Sequence, residues 1–385
     1  MTSLFPRAVL ALLLAAASVT TANAAIALDT IKLPPGFRIE LVTDRVPDAR
    51  EMTLGAYDAG RGTLFVGSNG AGKVYAVTLD QGRASDVRTI ASGLQMPVGV
   101  AYRQGSLYVS AVSRILRYDK VDGGPVSQAT VVTDRFPTET HHGWKFIAFG
   151  PDGDLYVPVG APCNICERDD DRYYNIQKIK ADGSGQTVVA KGVRNSVGFD
   201  WNPADGSLWF TENGRDLLGD DIPSDELNHV VGVTASAGAG KAAPPNFGFP
   251  YCHQGDLPDP EFGKTKPCSQ FVPPVAKLGA HVASLGMRFY APPAGASEPY
   301  PAAYRNGVFV AEHGSWNRSK KSGYRIVHVA LGGGAARQDV FAEGWLHGDE
   351  TVSGRPADVL PLSDGSLLVS DELAGAIYRI RYTAR

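Results

Sequence analysis

Three polar stretches carry the side chains best suited to chemistry. The first, "HHGWKFIAFG" (141–150), places His141, His142 and Lys145 just ahead of an apolar strand. A neutral imidazole is a natural general base near neutral pH. Either histidine could serve, and a loop histidine bonded to a backbone carbonyl is the structural alternative for both. The second, "GVRNSVGFDW" (192–201), sets Arg194 and Asn195 before another strand. Arginine offers a planar fork of donors that matches carboxylates, and asparagine adds an acceptor and a donor group. An ordinary ion pair and a turn asparagine would leave the same trace. The third, "TENGRDLLGDDIPSDELN" (211–228), is dense in carboxylates. Such a loop suits a hard cation such as calcium, although its spacing is not that of an EF-hand and a solvated acidic loop would look alike.

Further along, "HVASLGMRFY" (281–290), "AEHGSWNRSKKSGYRIVHV" (311–329) and "GRPADVLPLSDG" (354–365) add His281, His313, Arg318, Lys321 and Arg355. If these loops gather, they form a cationic mouth fit for an anionic cofactor or substrate. The whole chain is close to balanced, with 37 Lys and Arg against 40 Asp and Glu. That balance speaks against a nucleic-acid binder, whose phosphate contacts need a basic excess.

Other motifs are weaker than they look. "GSNGAGKV" (67–74) resembles a phosphate loop, but Val74 stands where the magnesium-binding Ser or Thr belongs, and strands flank it. No GxSxG elbow and no HExxH motif occur. The four cysteines are Cys163, Cys166, Cys252 and Cys268; disulfides 163–166 and 252–268 are the simplest pairing, with four-thiolate zinc as the alternative. Glu167 follows Cys166 where c-type haem attachment needs His.

The N-terminus predicts export. Arg7 precedes an apolar run, Ala8 to Ala17, and a small-residue site ending at Ala24, the pattern of a cleavable signal peptide covering 1–24. The run is half the roughly 20 residues of a spanning helix, and no later stretch approaches that length. A periplasmic or secreted protein without a membrane span is expected.

The elements that must position these loops are strands. An apolar stretch, a Gly-containing turn and an aromatic or aliphatic strand recur at 52–68, 98–111, 146–160, 197–214, 304–314 and 359–375. Most copies are followed by a further alternating strand, a hairpin signature. Confident helices outside the signal are absent, and 44 glycines and 26 prolines suit many tight turns. Six units predict an all-β, six-bladed β-propeller as a single domain over 25–385, with a long insertion between the fourth and fifth repeat units. The segment "GFRIELVTDRV" (36–46) is an extra strand that could complete the last blade and close the ring.

The runs "HHGWKFIAFGPDGDLYVPVGAPCNIC", "GVRNSVGFDWNPADGSLWFTENGRD", "HVASLGMRFY" and "AEHGSWNRSKKSGYR" resemble the bacterial glucose/sorbosone dehydrogenase family, soluble sugar dehydrogenases that use pyrroloquinoline quinone (PQQ). The similarity runs from about Leu33 to Tyr382. It implies a six-bladed propeller with PQQ at the mouth beside a calcium ion. The family's histidine lies eight residues before the glycine of "FGPDG", which selects His142 as the base. The resemblance further implies Arg194 and Asn195 as cofactor-binding residues, with Arg318 or Lys321 and Arg355. It implies calcium held by the main-chain carbonyls of Gly214 and Arg215. The expected reaction is oxidation of an aldose or sugar aldehyde such as sorbosone, by hydride transfer to PQQ, with electrons passing to a separate acceptor. Relatives often carry Arg in the first-blade turn where this chain has Asn69, a departure bearing on cofactor affinity. Two other classes fit a propeller: a calcium-dependent lactonase, and a non-catalytic exported protein that binds glycans or partners.

Overall fold

Alternating strands joined by tight turns build six four-stranded antiparallel sheets set around a common axis as a β-propeller. The computed structural model describes residues 26–123, 126–234, 243–332 and 334–383. The predicted signal peptide and part of the Gly/Ala-rich stretch after residue 234 lie outside them. Blades one to five take their strands from 49–91, 100–133, 148–191, 199–280 and 284–342. Among the described residues the only helical turns are three-residue 3-10 segments.

The turns explain the hairpins. Gln104 and Gly105 both have positive φ, 48° and 80°, and join Val100–Arg103 to Ser106–Ala111. This type I′ geometry matches the twist of paired strands, and glycine adopts it without a Cβ penalty. The phosphate-loop look-alike is likewise a connection between Arg61–Ser68 and Val74–Asp80.

Ring closure uses both ends of the chain. Phe37–Thr43 pairs antiparallel with Ala376–Tyr382, Phe37 opposite Tyr382 and Ile39 opposite Ile380, as the fourth strand of blade six. The Phe37 ring then packs edge-on against Tyr300, Phe341 and Tyr304 at centroid distances of 4.7, 5.1 and 5.3 Å. Closure of this kind ties the ring shut and leaves each blade only short, protected edges.

The surplus after the fourth unit divides in a way the repeats did not reveal. Residues 243–275 make an excursion held by Cys252–Cys268 and a short ribbon of Cys252–His253 with Leu257–Pro258. Ala276–Ala280 then returns as the outer strand of blade four, and Ser284–Phe289 is already the first strand of blade five. That strand lacks a Gly-turn partner close in sequence, which hid it. Both predicted disulfides form, so no thiolate is left for zinc.

At the axis, buried carboxylates bond the backbone of neighbouring blades. Glu51 of blade one accepts from Val100 N at 3.1 Å and Ile147 N at 3.0 Å. Asp358 of blade six accepts from Met52 N at 2.9 Å, and Asp200 of blade four from Phe289 N at 2.8 Å. Arg288 adds a bond to Asp358 at 3.3 Å.

Each donor orphaned at such a buried position costs about 1–3 kcal/mol. Glu51→Ala is therefore expected to destabilise by about 2–6 kcal/mol, and Glu51→Gln, which retains an acceptor oxygen, by much less. Denaturant unfolding of the two variants checks this; an alanine variant as stable as the wild type would refute the axial role.

Candidate active site

His142 sits in the loop between the outer strand of blade two, Thr130–Thr133, and the first strand of blade three, Ala148–Phe149. The loop tightens at Thr140, whose carbonyl accepts Gly143 N at 2.9 Å, and His142 takes a positive φ of 49°. Its Nδ1 lies 2.8 Å from the Ala161 carbonyl. A carbonyl only accepts, so Nδ1 carries the proton and Nε2 keeps its lone pair. Burial, then the Arg194 guanidinium and His141, hold the His142 pKa well below the usual histidine value. The ring is therefore a buried, oriented, neutral imidazole. His141 is exposed, its ring 4.2 Å away. Beneath the loop, Lys145 is buried with Nζ on the Gly143 carbonyl at 2.9 Å, its pKa pushed down to about 7 by burial.

Arg194 is the best-connected group. Its Nε donates to the Asn164 carbonyl at 2.8 Å, and Nη1 to the carbonyls of Asn213 and Gly214 at 3.1 and 2.8 Å. Nη2 reaches Asn164 Oδ1 at 2.9 Å and Asp216 Oδ2 at 3.1 Å. All five N–H donors thus end on protein acceptors. Arg194, expected to bind the cofactor, lines the cavity and at the same time ties down the 213–216 loop. Asp225 anchors the same loop, accepting Gly214 N at 3.0 Å on one oxygen and Ser284 N at 2.8 Å on the other. Burial pushes its pKa up to about 6.

The guanidinium with donors to offer comes from blade one. Arg50 uses Nε on Glu372 at 2.9 Å, and its terminal nitrogens have no hydrogen-bond partner among the described residues. Glu372 also accepts from Asn69 Nδ2 at 3.3 Å and pairs with His313 Nε2 at 2.5 Å. Burial and then Arg50 push the His313 pKa down to about 3, so this histidine is neutral. Arg355 donates Nε to the His313 carbonyl at 3.2 Å and Nη2 to that of Gly314 at 2.9 Å, leaving Nη1. No motif marked Arg50; the only hint was a charged residue at the start of an apolar strand.

Arg50, His142, Arg194, Asn195, Gly214 and Arg355 all line one cavity of about 330 Å³. The exposed Trp316 and the buried His281 lie on its wall, and His281 bonds the Gly219 carbonyl at 2.8 Å. The side chain of Asn195 makes no hydrogen bond to a described residue. Arg215 turns away from the cavity, Nη1 bonding Asp259 of the excursion at 2.6 Å. Arg318 and Lys321 do not reach the cavity. Arg318 bonds the Asp220 carbonyl and pairs with Asp221, and Lys321 Nζ bonds the Glu350 carbonyl at 2.6 Å. Both cations are held by acceptors on neighbouring loops, Asp220 and Asp221 for Arg318 and Glu350 for Lys321.

Residues 31–380 match the TrAA12-like family. A protein of Borreliella burgdorferi called an uncharacterized protein is 31% identical over 369 residues, 92% of this chain and 91% of its own. A pyrroloquinoline quinone-dependent sugar dehydrogenase of Hypocrea jecorina is 27% identical over 269 residues, 61% of this chain and 59% of its own. Among solved structures, a calcium structure of the Trichoderma reesei carbohydrate-active enzyme of family AA12 superposes with a TM-score of 0.75. It covers 94% of this chain and all of that one at 21% identity, a likeness of fold. With nearly the whole propeller matched, the chain belongs to the TrAA12-like family.

Proposed function

We propose that the protein oxidises an aldose or a sugar aldehyde of the sorbosone type, with PQQ as resident electron acceptor and calcium beside it. The observation that carries this is one cavity walled by an anchored neutral imidazole, His142, and by guanidiniums of Arg50 and Arg355 with unpaired donors. The name of the Hypocrea jecorina relative supports the cofactor and the sugar class.

The residues present fit a flat tricarboxylate. Arg50 and Arg355 would hold its carboxylates by charge-assisted bonds, and the Asn195 amide is available as a further donor. Among the described residues no group of three His, Cys, Asp or Glu side chains is disposed to hold a metal ion. A cation here would rest on main-chain carbonyls, for which Gly214 and Arg215 are the candidates. Bound there, the quinone supplies a two-electron acceptor and calcium a Lewis acid.

The chain's own part is proton handling and orientation. His142 Nε2 takes the proton of the sugar hydroxyl as hydride leaves the same carbon, giving a lactone from an aldose or an acid from a hydrated aldehyde. The Ala161 carbonyl keeps the ring from turning. Arg194 holds the Gly214 carbonyl in place, so its role is support of the metal loop. Electrons would then pass to a separate acceptor. We assign residues 1–24 as an export signal on sequence alone; the two disulfides suit an oxidising compartment. No helix among the described residues is long and apolar enough to cross a membrane.

Apo-protein mixed with PQQ and calcium is expected to retain quinone absorbance and reduce a dye when given aldoses or aldehydes. Neither signal with any sugar would sink the proposal. His142→Ala should lower turnover by roughly 10²–10⁴-fold while sparing quinone binding; the same loss from His141→Ala would move the base by one residue. Arg50→Ala and Arg355→Ala should instead weaken quinone binding about tenfold to a hundredfold, read by absorbance titration. Because the His142 pKa is depressed, the base stays unprotonated until pH falls below the ordinary histidine value. The acid limb of kcat/KM should therefore lie below about 6.5; a limb at or above it contradicts the assignment.

A further inference from the structure

We propose that Asn164, inside the four-residue ring closed by Cys163–Cys166, is a positioning residue that holds the base, Arg194 and the metal loop in one geometry. The inference rests on the quinone and calcium reading of the site and names a part of it that no motif indicated.

The side-chain amide of Asn164 copies a strand's hydrogen bonding. Its Oδ1 accepts Asp216 N at 2.8 Å, and its Nδ2 donates to the Asp216 carbonyl at 3.1 Å. The same Oδ1 accepts Arg194 Nη2 at 2.9 Å, and the Asn164 carbonyl accepts Arg194 Nε at 2.8 Å. Three residues earlier, the Ala161 carbonyl orients His142 at 2.8 Å, and Ala161 N donates to the Arg194 carbonyl at 2.7 Å. Ala161 and Asn164, three residues apart in one short segment, therefore touch the base, Arg194 and the loop bearing Gly214 between them.

That segment has no ladder of its own. It lies between strands Leu155–Val159 and Asn175–Ile179 of blade three, and residues 160–174 contain no strand. The ring is closed by the disulfide, with Cys166 Sγ 3.3 Å from the Tyr174 hydroxyl. Its cysteines are 3 residues apart, against 16 for Cys252–Cys268. A ring so short restricts the unfolded chain least, so its benefit is local order more than global stability. An asparagine held rigidly beneath a metal loop is the kind of support that sets affinity without touching the ligand.

The test compares wild type, Asn164→Ala and the double variant Cys163→Ser/Cys166→Ser. Each apo-protein is titrated with PQQ at saturating calcium and with calcium at saturating PQQ, following quinone absorbance, and its melting temperature is recorded. Both variants should bind calcium and quinone about 10- to 100-fold more weakly and regain turnover in excess calcium, and Asn164→Ala should also melt lower because it orphans the Asp216 amide and an Arg194 donor. Wild-type affinities in both variants, or a lowered melting temperature with unchanged affinities, would overturn the inference and leave the functional reading intact. A wild type that binds neither PQQ nor calcium would overturn that reading, and the inference with it.

Discussion

Everything in this molecule depends on how six separate sheets meet at an axis where no β-ladder can run between them. The innermost strands approach closely, with backbone amides facing a neighbour that offers no matching carbonyls. Buried backbone donors must be satisfied, and the chain answers with carboxylates. Glu51 serves amides of blades two and three, Asp358 serves blade one, and Asp200 and Asp225 serve blade five. Close approach also demands small residues: a Cβ at Gly198 would collide with the Leu285 carbonyl of the next blade.

The solution has an electrostatic cost. Burial raises the pKa of Glu51 and Asp200, and that of Asp358 to about 6, while Arg288 opposes the shift at all three. Arg288 itself lies over the Phe146 ring at 4.7 Å and bonds Asp358, setting a cation among these acids. A core of this kind fixes the rotation of each blade about the axis. Blade rotation in turn decides which loop ends converge at the mouth. The same device reappears at the site, where Asp225 fixes the 213–216 loop and Ser284 together. The scaffold and the candidate chemistry are thus held by one class of interaction: a carboxylate accepting amides across a blade boundary.

Repeats make most of the fold legible in the sequence. Period-2 strands and Gly turns are local signals, and so are the two cysteine spacings. The loops bearing His142, Arg194, Asn195 and Arg355 were legible too, because each directly precedes a strand whose register is set by its own hairpin. The first strand of blade five escaped notice because Ser284–Phe289 meets Val308–Glu312 across a long loop. Charge type was equally readable; charge pairing was not. Arg194, Arg318 and Lys321 are each a cation ahead of or within a mouth loop, but only the folded chain shows that protein acceptors meet every donor of Arg194 and that Arg318 and Lys321 pair with Asp221 and the Glu350 carbonyl.

By itself the sequence determined the class of fold, the number of blades, the disulfides and the presence of a loop histidine at the mouth. These follow from interactions among residues near one another in the chain. Only the tertiary structure decided that Arg50 meets Glu372 322 residues away, that His313 joins them, and that Asn164 braces Asp216. The physical reason is competition. A guanidinium or an amide bonds whichever acceptor the assembled blades bring nearest, and no local pattern records which acceptor that will be.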